Sequence, residues 1–225
     1  MTSQDNGTPA LRRRSVLIVD DHPIVRRGLA DMIACQPDLE VCGEAADVAE
    51  AMRQVDLSHP DVVIVDLSLR GGHGIELIEQ IRARDDHTRM LVSSMHDETL
   101  FAERALRAGA MGYITKQEPT ENLLEAIRQV LRGEVYLSPR MTGRLLRGLR
   151  DGASIQQDPI RSLSNRELQV FEMIGQGMTT QQIARTLGLS PKTIETHREK
   201  LKDKLSLRNS AELNRRAVQW VLESR

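Results

Sequence analysis

Along the first 133 residues, short apolar runs alternate with stretches whose apolar residues recur at helical spacing. The runs are Ser15–Val19, Leu39–Ala45, Val62–Val65, Met90–Ser94 and Met111–Thr115. Val62, Val63, Ile64 and Val65 are apolar at every position, which suits a strand covered by helices on both faces. After the first run, Pro23 opens a helix carried by Ile24, Val25, Leu29, Met32 and Ile33. Helices follow at Val48–Val55, at Ile75, Leu77, Ile78 and Ile81, and at Leu100, Phe101, Ala105 and Leu106 before Gly109. A fifth begins at Pro119 and stops at Gly133. Strictly alternating strands and helices predict an α/β fold: a doubly wound, five-stranded parallel sheet.

In such sheets the carboxyl ends of the strands form the ligand crevice. Asp20 and Asp21 follow the first run, Asp66 the third, Ser94 closes the fourth, and Lys116 follows the fifth. A single Asp at a strand end is more often a cap than a reactive group. This combination at four strand ends is much less expected by chance. Three carboxylates in one crevice repel one another and raise each other's proton affinity. A divalent cation offsets that, and an all-oxygen donor set suits Mg²⁺. With two acids on the metal and Lys116 as a further positive charge, Asp66 can act as a nucleophile toward phosphorus, with Ser94 hydrogen-bonding the attached group.

This constellation resembles the receiver domain of two-component response regulators over Val16–Arg132, a flavodoxin-like fold. Asp20–Pro23 (DDHP), Ser94–Glu98 (SMHDE) and Gly109–Lys116 (GAMGYITK) are similar to the NarL/FixJ subfamily. The resemblance implies that Asp66 is the phosphoacceptor. It implies Mg²⁺ (or Mn²⁺) held by Asp21, Asp66 and the backbone carbonyl of Ser68, with Asp20 nearby or acting through water. Ser94 and Tyr113 would be the switch pair, although a lone Tyr there is ordinarily a half-buried strand aromatic. Two departures stand out. The family's Pro-Gly-Met-Asp/Asn-Gly loop is here Arg70, Gly71, Gly72, His73, Gly74, which predicts a more mobile loop. Ser93 replaces a usual apolar residue. His73 and His96 lie near the site and read as solvated loop residues, not metal ligands.

Charge divides the chain. Formal net charge is −1, but residues 161–225 carry 12 basic against 7 acidic residues, and the first 160 carry 19 against 25. An acidic front and a basic back suggest two domains, the second with a polyanionic partner. Residues 1–14 read as a disordered tail, 15–133 as the receiver and 134–160 as a linker with a short basic helix at Pro139–Leu149. Residues 161–225 read as a small all-α domain. Cys35 and Cys42, with no CxxC spacing, fit a reduced cytoplasmic chain. No apolar run is long enough to cross a bilayer, so no membrane is expected as a partner.

In the back half, Ser164 with Glu167 and Thr179 with Gln182 make two capping boxes. The second helix ends at Gly188, and Ser190 caps a third with Pro191 at its first position. A short helix, a tight Gly turn and a capped helix form the helix-turn-helix pattern. Ile194, Leu201 and Leu205 face inward, with His197 packed beside them. Leu163–Leu205 is similar to LuxR-type DNA-binding domains, with Thr180 in place of a common Asn. The resemblance puts Pro191–Lys204 in the major groove of double-stranded DNA. Glu195, Thr196 and Glu199 then face base edges, and Lys192, Thr193, Arg198, Lys200 and Lys202 face phosphates. A helical charged face taken alone is ordinarily just solvated. Glu212–Leu222 is a last helix. Its apolar residues, Trp220 among them, serve either to pair two subunits, as in the family, or to close the domain.

The reading is a response regulator: a switch phosphorylated by a histidine kinase, joined to a DNA binder that dimerises when phosphorylated or on DNA. It is not an enzyme beyond its own phosphoryl transfer and slow dephosphorylation. A phosphatase using Asp66 would need a DxDxT-type motif and a cap domain, and neither is evident. A ligand-sensing front domain would need an aromatic pocket, yet only Phe101 and Tyr113 precede Tyr136. A receiver held unphosphorylated by protein contacts would leave its complete acid set unused.

Overall fold

The structure, a computed structural model, describes residues 12–69, 72–150 and 159–224. The expected tail (apart from residues 12–14) and the polar linker centre therefore lie outside the described residues, as do Arg70 and Gly71.

Five parallel strands form one sheet: β1 (Arg14–Val19), β2 (Leu39–Ala45), β3 (Val62–Val65), β6 (Arg89–Ser94) and β7 (Gly112–Thr115), in the order β2-β1-β3-β6-β7. The intervening α1 (Pro23–Ala34), α2 (Val48–Ser58), α3 (Gly74–Arg84), α4 (Glu98–Ala108) and α5 (Thr120–Leu131) cover both faces. The all-apolar β3 explains itself here. Val62 and Ile64 pack with Ile33, Leu123 and Ile127 of α1 and α5. Val63 and Val65 pack with Met52, Ile78 and Phe101 of α2, α3 and α4. Strand order reverses beside β1, so the crevice opens at the carboxyl ends of β1 and β3, where Val19 pairs with Val65.

The loop after β3 differs from expectation. It is a small antiparallel ribbon of β4 (Ser68–Leu69) and β5 (Gly72–His73), with Ser68 opposite His73. His73, expected in solvent, is fully buried, and its Nδ1 accepts the Ile75 N–H at 3.1 Å. It caps α3.

The helix α6 (Pro139–Arg150) lies against α4 through buried Met141. A 3₁₀ turn, η1 (Pro159–Ser162), leads into α7 (Asn165–Gly175), α8 (Thr180–Leu187), α9 (Pro191–Lys204) and α10 (Ser210–Ser224). Both capping boxes form, Gly188 ends α8 in the left-handed region, and Ser190 caps α9. Trp220 is buried, with its ring 5.3 Å from that of Phe171, so it closes its own domain. Val218 and Leu222 of α10 stay exposed.

Candidate functional site

Asp20 and Asp66 leave the ends of β1 and β3 almost fully buried, at 2% and 3% exposure. Burial of two carboxylates this close needs a counter-charge. Lys116, just past β7, supplies it: its Nζ lies 2.6 Å from Asp20 Oδ2 and 2.8 Å from Asp66 Oδ2. Burial pushes the Asp66 carboxyl up, Lys116 opposes, and the Asp20 charge adds to the rise. Burial alone would lower Lys116, but the Asp66 and Asp20 charges more than offset it and its pKa is raised.

The second oxygen of Asp66, Oδ1, is buried and has no hydrogen-bond partner. Ligand atoms of Asp20, Asp21, His22 and Asp66 lie within 4.8 Å of one another. A buried, unpartnered carboxylate oxygen beside two further acids is a donor set that suits a hard divalent cation. Ser94 is fully buried at the end of β6, and its Oγ accepts from the His96 N–H at 3.3 Å. Tyr113 points inward, 1% exposed, and its hydroxyl donates to the His96 carbonyl at 2.9 Å. Burial, then the Glu172 charge, holds that phenol well above its ordinary pKa.

On α9, Ile194 and Leu201 are buried and Lys192, Glu195, Thr196, Glu199 and Lys200 are exposed on the other side. Thr180 Oγ1 donates to Glu195 Oε1 at 2.8 Å, which fixes that carboxylate at the turn. Thr193 joins the Ser190 cap. Arg198 donates to Asn214 of α10 at 3.0 Å, and Lys202 is turned along the helix to Glu199 at 2.8 Å. Among the expected phosphate contacts, Lys192 and Lys200 are therefore the cations presented outward.

Two family models match this chain: the response regulator receiver domain over residues 16–128, and the luxR family of bacterial regulatory proteins over 161–217. The chain is a response regulator of the NarL/FixJ family. It is 37% identical over 215 residues to the oxygen regulatory protein NreC of Staphylococcus carnosus, covering 93% of this chain and 97% of that one. It is 39% identical over 202 residues to the transcriptional regulatory protein UhpA of Escherichia coli, covering 90% and 96%. Among solved structures it is similar to RcsB of Salmonella enterica serovar Typhimurium bound to promoter rprA in the presence of phosphomimetic BeF3−. There the TM-score is 0.59 and identity 26%, over 90% of this chain and 97% of that one. This response regulator is thus a two-component transcription regulator with a LuxR-type DNA-binding domain. No helix among the described residues is long and apolar enough to cross a membrane.

The domains of this response regulator touch through residues that carried no interdomain role in the sequence. His96, expected in solvent, is 8% exposed: its Nδ1 lies 2.7 Å from Glu172 Oε2 on α7 and its Nε2 2.9 Å from Ser68 Oγ. Gln169 Nε2 donates to Ser68 Oγ at 3.1 Å, and Arg166 Nη2 to the Gly72 carbonyl at 3.0 Å. Arg166, Gln169 and Glu172 follow an i, i+3, i+6 spacing. On an isolated helix that spacing reads as a solvated face, which is why it gave no signal.

Burial next to Arg166 also sets how His73 titrates. Its pKa falls from 6.5 to about 3, first through burial and then through the Arg166 charge. Between those values the unfolded chain holds one more proton at this residue than the folded one. The contribution is therefore fully present above pH 6.5 and is lost on acidification toward about 3. The slope is about 1.4 kcal/mol per pH unit. His73→Asn keeps a cap and removes the titration, so urea unfolding at pH 6.5 and 5 should show a shallower loss than wild type. An unchanged pH slope would contradict it.

Proposed function

We propose that Asp66 is the phosphoacceptor and that this crevice catalyses its own phosphorylation from a sensor histidine kinase. The observation that carries the reading is the Lys116 ammonium bridging Asp20 and Asp66 while Asp66 Oδ1 stays buried and unpartnered. An Asp66 carboxylate oxygen attacks phosphorus, the bond from phosphorus to the donor nitrogen breaks, and an acyl phosphate forms on Asp66. Lys116 then sits where it neutralises charge on the transferring oxygens, and the Ser94 hydroxyl is placed to hydrogen-bond the phosphoryl group. Asp20, Asp21, Asp66 and the Ser68 carbonyl would hold Mg²⁺ or Mn²⁺, which when bound supplies positive charge at the phosphoryl oxygens. Ser94 and Tyr113 form the switch pair.

The output is sequence-specific binding of double-stranded DNA by α9 in a homodimer, working in the cytoplasm where kinase and DNA meet. Glu195, Thr196 and Glu199 face base edges. Lys192, Thr193, Lys200, Arg198 and Lys202 serve phosphates, the last two after leaving their present partners. The functional divisions lie at residues 15–133 for the receiver, 134–160 for the linker and 161–225 for the DNA-binding domain. Intact mass after a small phosphodonor with Mg²⁺ tests the acceptor. Wild type should gain one phosphoryl group and Asp66→Asn none. An equal adduct on the variant would place the acceptor elsewhere.

A further inference from the structure

Side chains of β6 point alternately to the two faces of the sheet. Leu91 packs on the face covered by α1 and α5, and Val92 on the other. Ser93 therefore returns to the α1–α5 face, beside Ile114 of β7, with which it pairs. It puts a hydroxyl where its neighbours on that face are apolar. Ser93 is 5% exposed, and its hydroxyl has no hydrogen-bond partner among the described residues. A buried hydroxyl costs free energy unless something satisfies it. Here the partner must come from the space it borders, a cleft of about 540 Å³ between α1 and α5. That volume falls within the range usual for small-molecule sites.

The walls of the cleft are aliphatic and thioether groups: Val25, Leu29 and Met32 of α1, Ile114 of β7, Leu123 of α5, and Met95 just past β6. Val25, Gly28, Leu29 and Met32 follow the i, i+3, i+4, i+7 spacing of one helix face. Gly28 is the gap in that face. Glycine weakens a helix interior, and nothing lies within 4 Å of where its Cβ would stand, so close packing does not demand it. Its missing side chain keeps the mouth of the cleft open. Lys116 borders the same cleft, but its ammonium is held by Asp20 and Asp66, and Glu118 stands at the same end. Among the described residues that end therefore offers a carboxylate and no uncommitted ammonium, which disfavours an anion. We propose that the α1–α5 cleft binds a small neutral amphiphile, a medium-chain aliphatic alcohol in its chemistry. Its hydroxyl meets Ser93 and its hydrocarbon covers Leu29, Met32 and Leu123. The site does not depend on Asp66 being the acceptor.

The test uses the full chain with ¹³C-labelled methionine methyls, titrated with 1-octanol below its solubility limit. Met32 and Met95 border the cleft, whereas Met173 lies on α7 and Met178 just beyond it, in the other domain. The Met32 and Met95 signals should move and saturate, and those of Met173 and Met178 should stay. Ser93→Val removes the hydroxyl and should weaken binding about fivefold, the worth of one ordinary hydrogen bond. Gly28→Leu fills the mouth from a helix position that accepts a side chain, and should abolish binding. Octanoate, matched in chain length but anionic, should bind more weakly than 1-octanol. Urea midpoints near that of wild type keep a loss of binding from being read as unfolding. No saturable movement of Met32 or Met95, or equal movement of all four methyls, overturns the site. Unchanged binding by Gly28→Leu does the same, since the probe then lies elsewhere. Unchanged affinity in Ser93→Val overturns the hydroxyl contact, and octanoate binding as tightly as the alcohol overturns the choice of a neutral ligand.

Discussion

Lys116→Ala should lose about 3–5 kcal/mol of stability near neutral pH, the usual cost of removing one partner from a buried charge cluster. Two carboxylates, each with a 3% exposed side chain, would then face each other without the ammonium that now lies within 2.8 Å of both. The variant's carboxyls must either pay that repulsion or take up a proton. The deficit should accordingly shrink as pH falls through the carboxylate range, where protonation removes the need for a counter-charge. Added Mg²⁺ should recover part of it by replacing the missing positive charge, a rescue wild type needs less. Urea midpoints at two pH values, with and without Mg²⁺, check all three parts. Phosphoryl transfer should also slow by roughly 10²–10³-fold, the typical loss for one preorganised charge-stabilising group. A variant as stable and as fast as wild type would mean that the ammonium does not serve the crevice.

Gly74→Ala comes second in size. A Cβ there would lie 2.2 Å from the Asp66 carbonyl oxygen and 2.8 Å from Leu67 Cα. Both are backbone atoms, so neither can swing aside. Either α3 lifts from the sheet or the end of β3 moves, and both break the Gly74 N–H bond to the Leu67 carbonyl. The expected cost is about 3 kcal/mol, the upper end of overpacking, with slower phosphorylation because Asp66 itself is displaced. Gly72→Ala is the matched control. Its Cβ would meet the Val48 Cγ2 side chain at 2.7 Å, a contact that can relax by rotation. Equal unfolding midpoints for the two variants would contradict the packing argument.

What could be read from residue order alone was local or periodic. The all-apolar run of β3, the helical spacing after Pro23 and the paired capping boxes at Ser164 and Thr179 each depend on neighbours a few residues away. The strand ends then located Asp20, Asp66, Ser94 and Lys116 in one crevice, because a parallel sheet gathers carboxyl ends at one edge. Tertiary structure alone decided what happens to a polar face once another domain covers it. His73 and His96 read as solvated in the sequence, and Arg166, Gln169 and Glu172 carried no signal there. Hydrogen bonding between residues 68 and 169, or 96 and 172, leaves no trace in spacing. The residues are polar either way, and only their burial separates a solvated surface from an interdomain contact. Trp220 makes the converse point: an apolar helix face signals burial, but whether it closes its own domain or meets a second copy depends on where Phe171 stands in space.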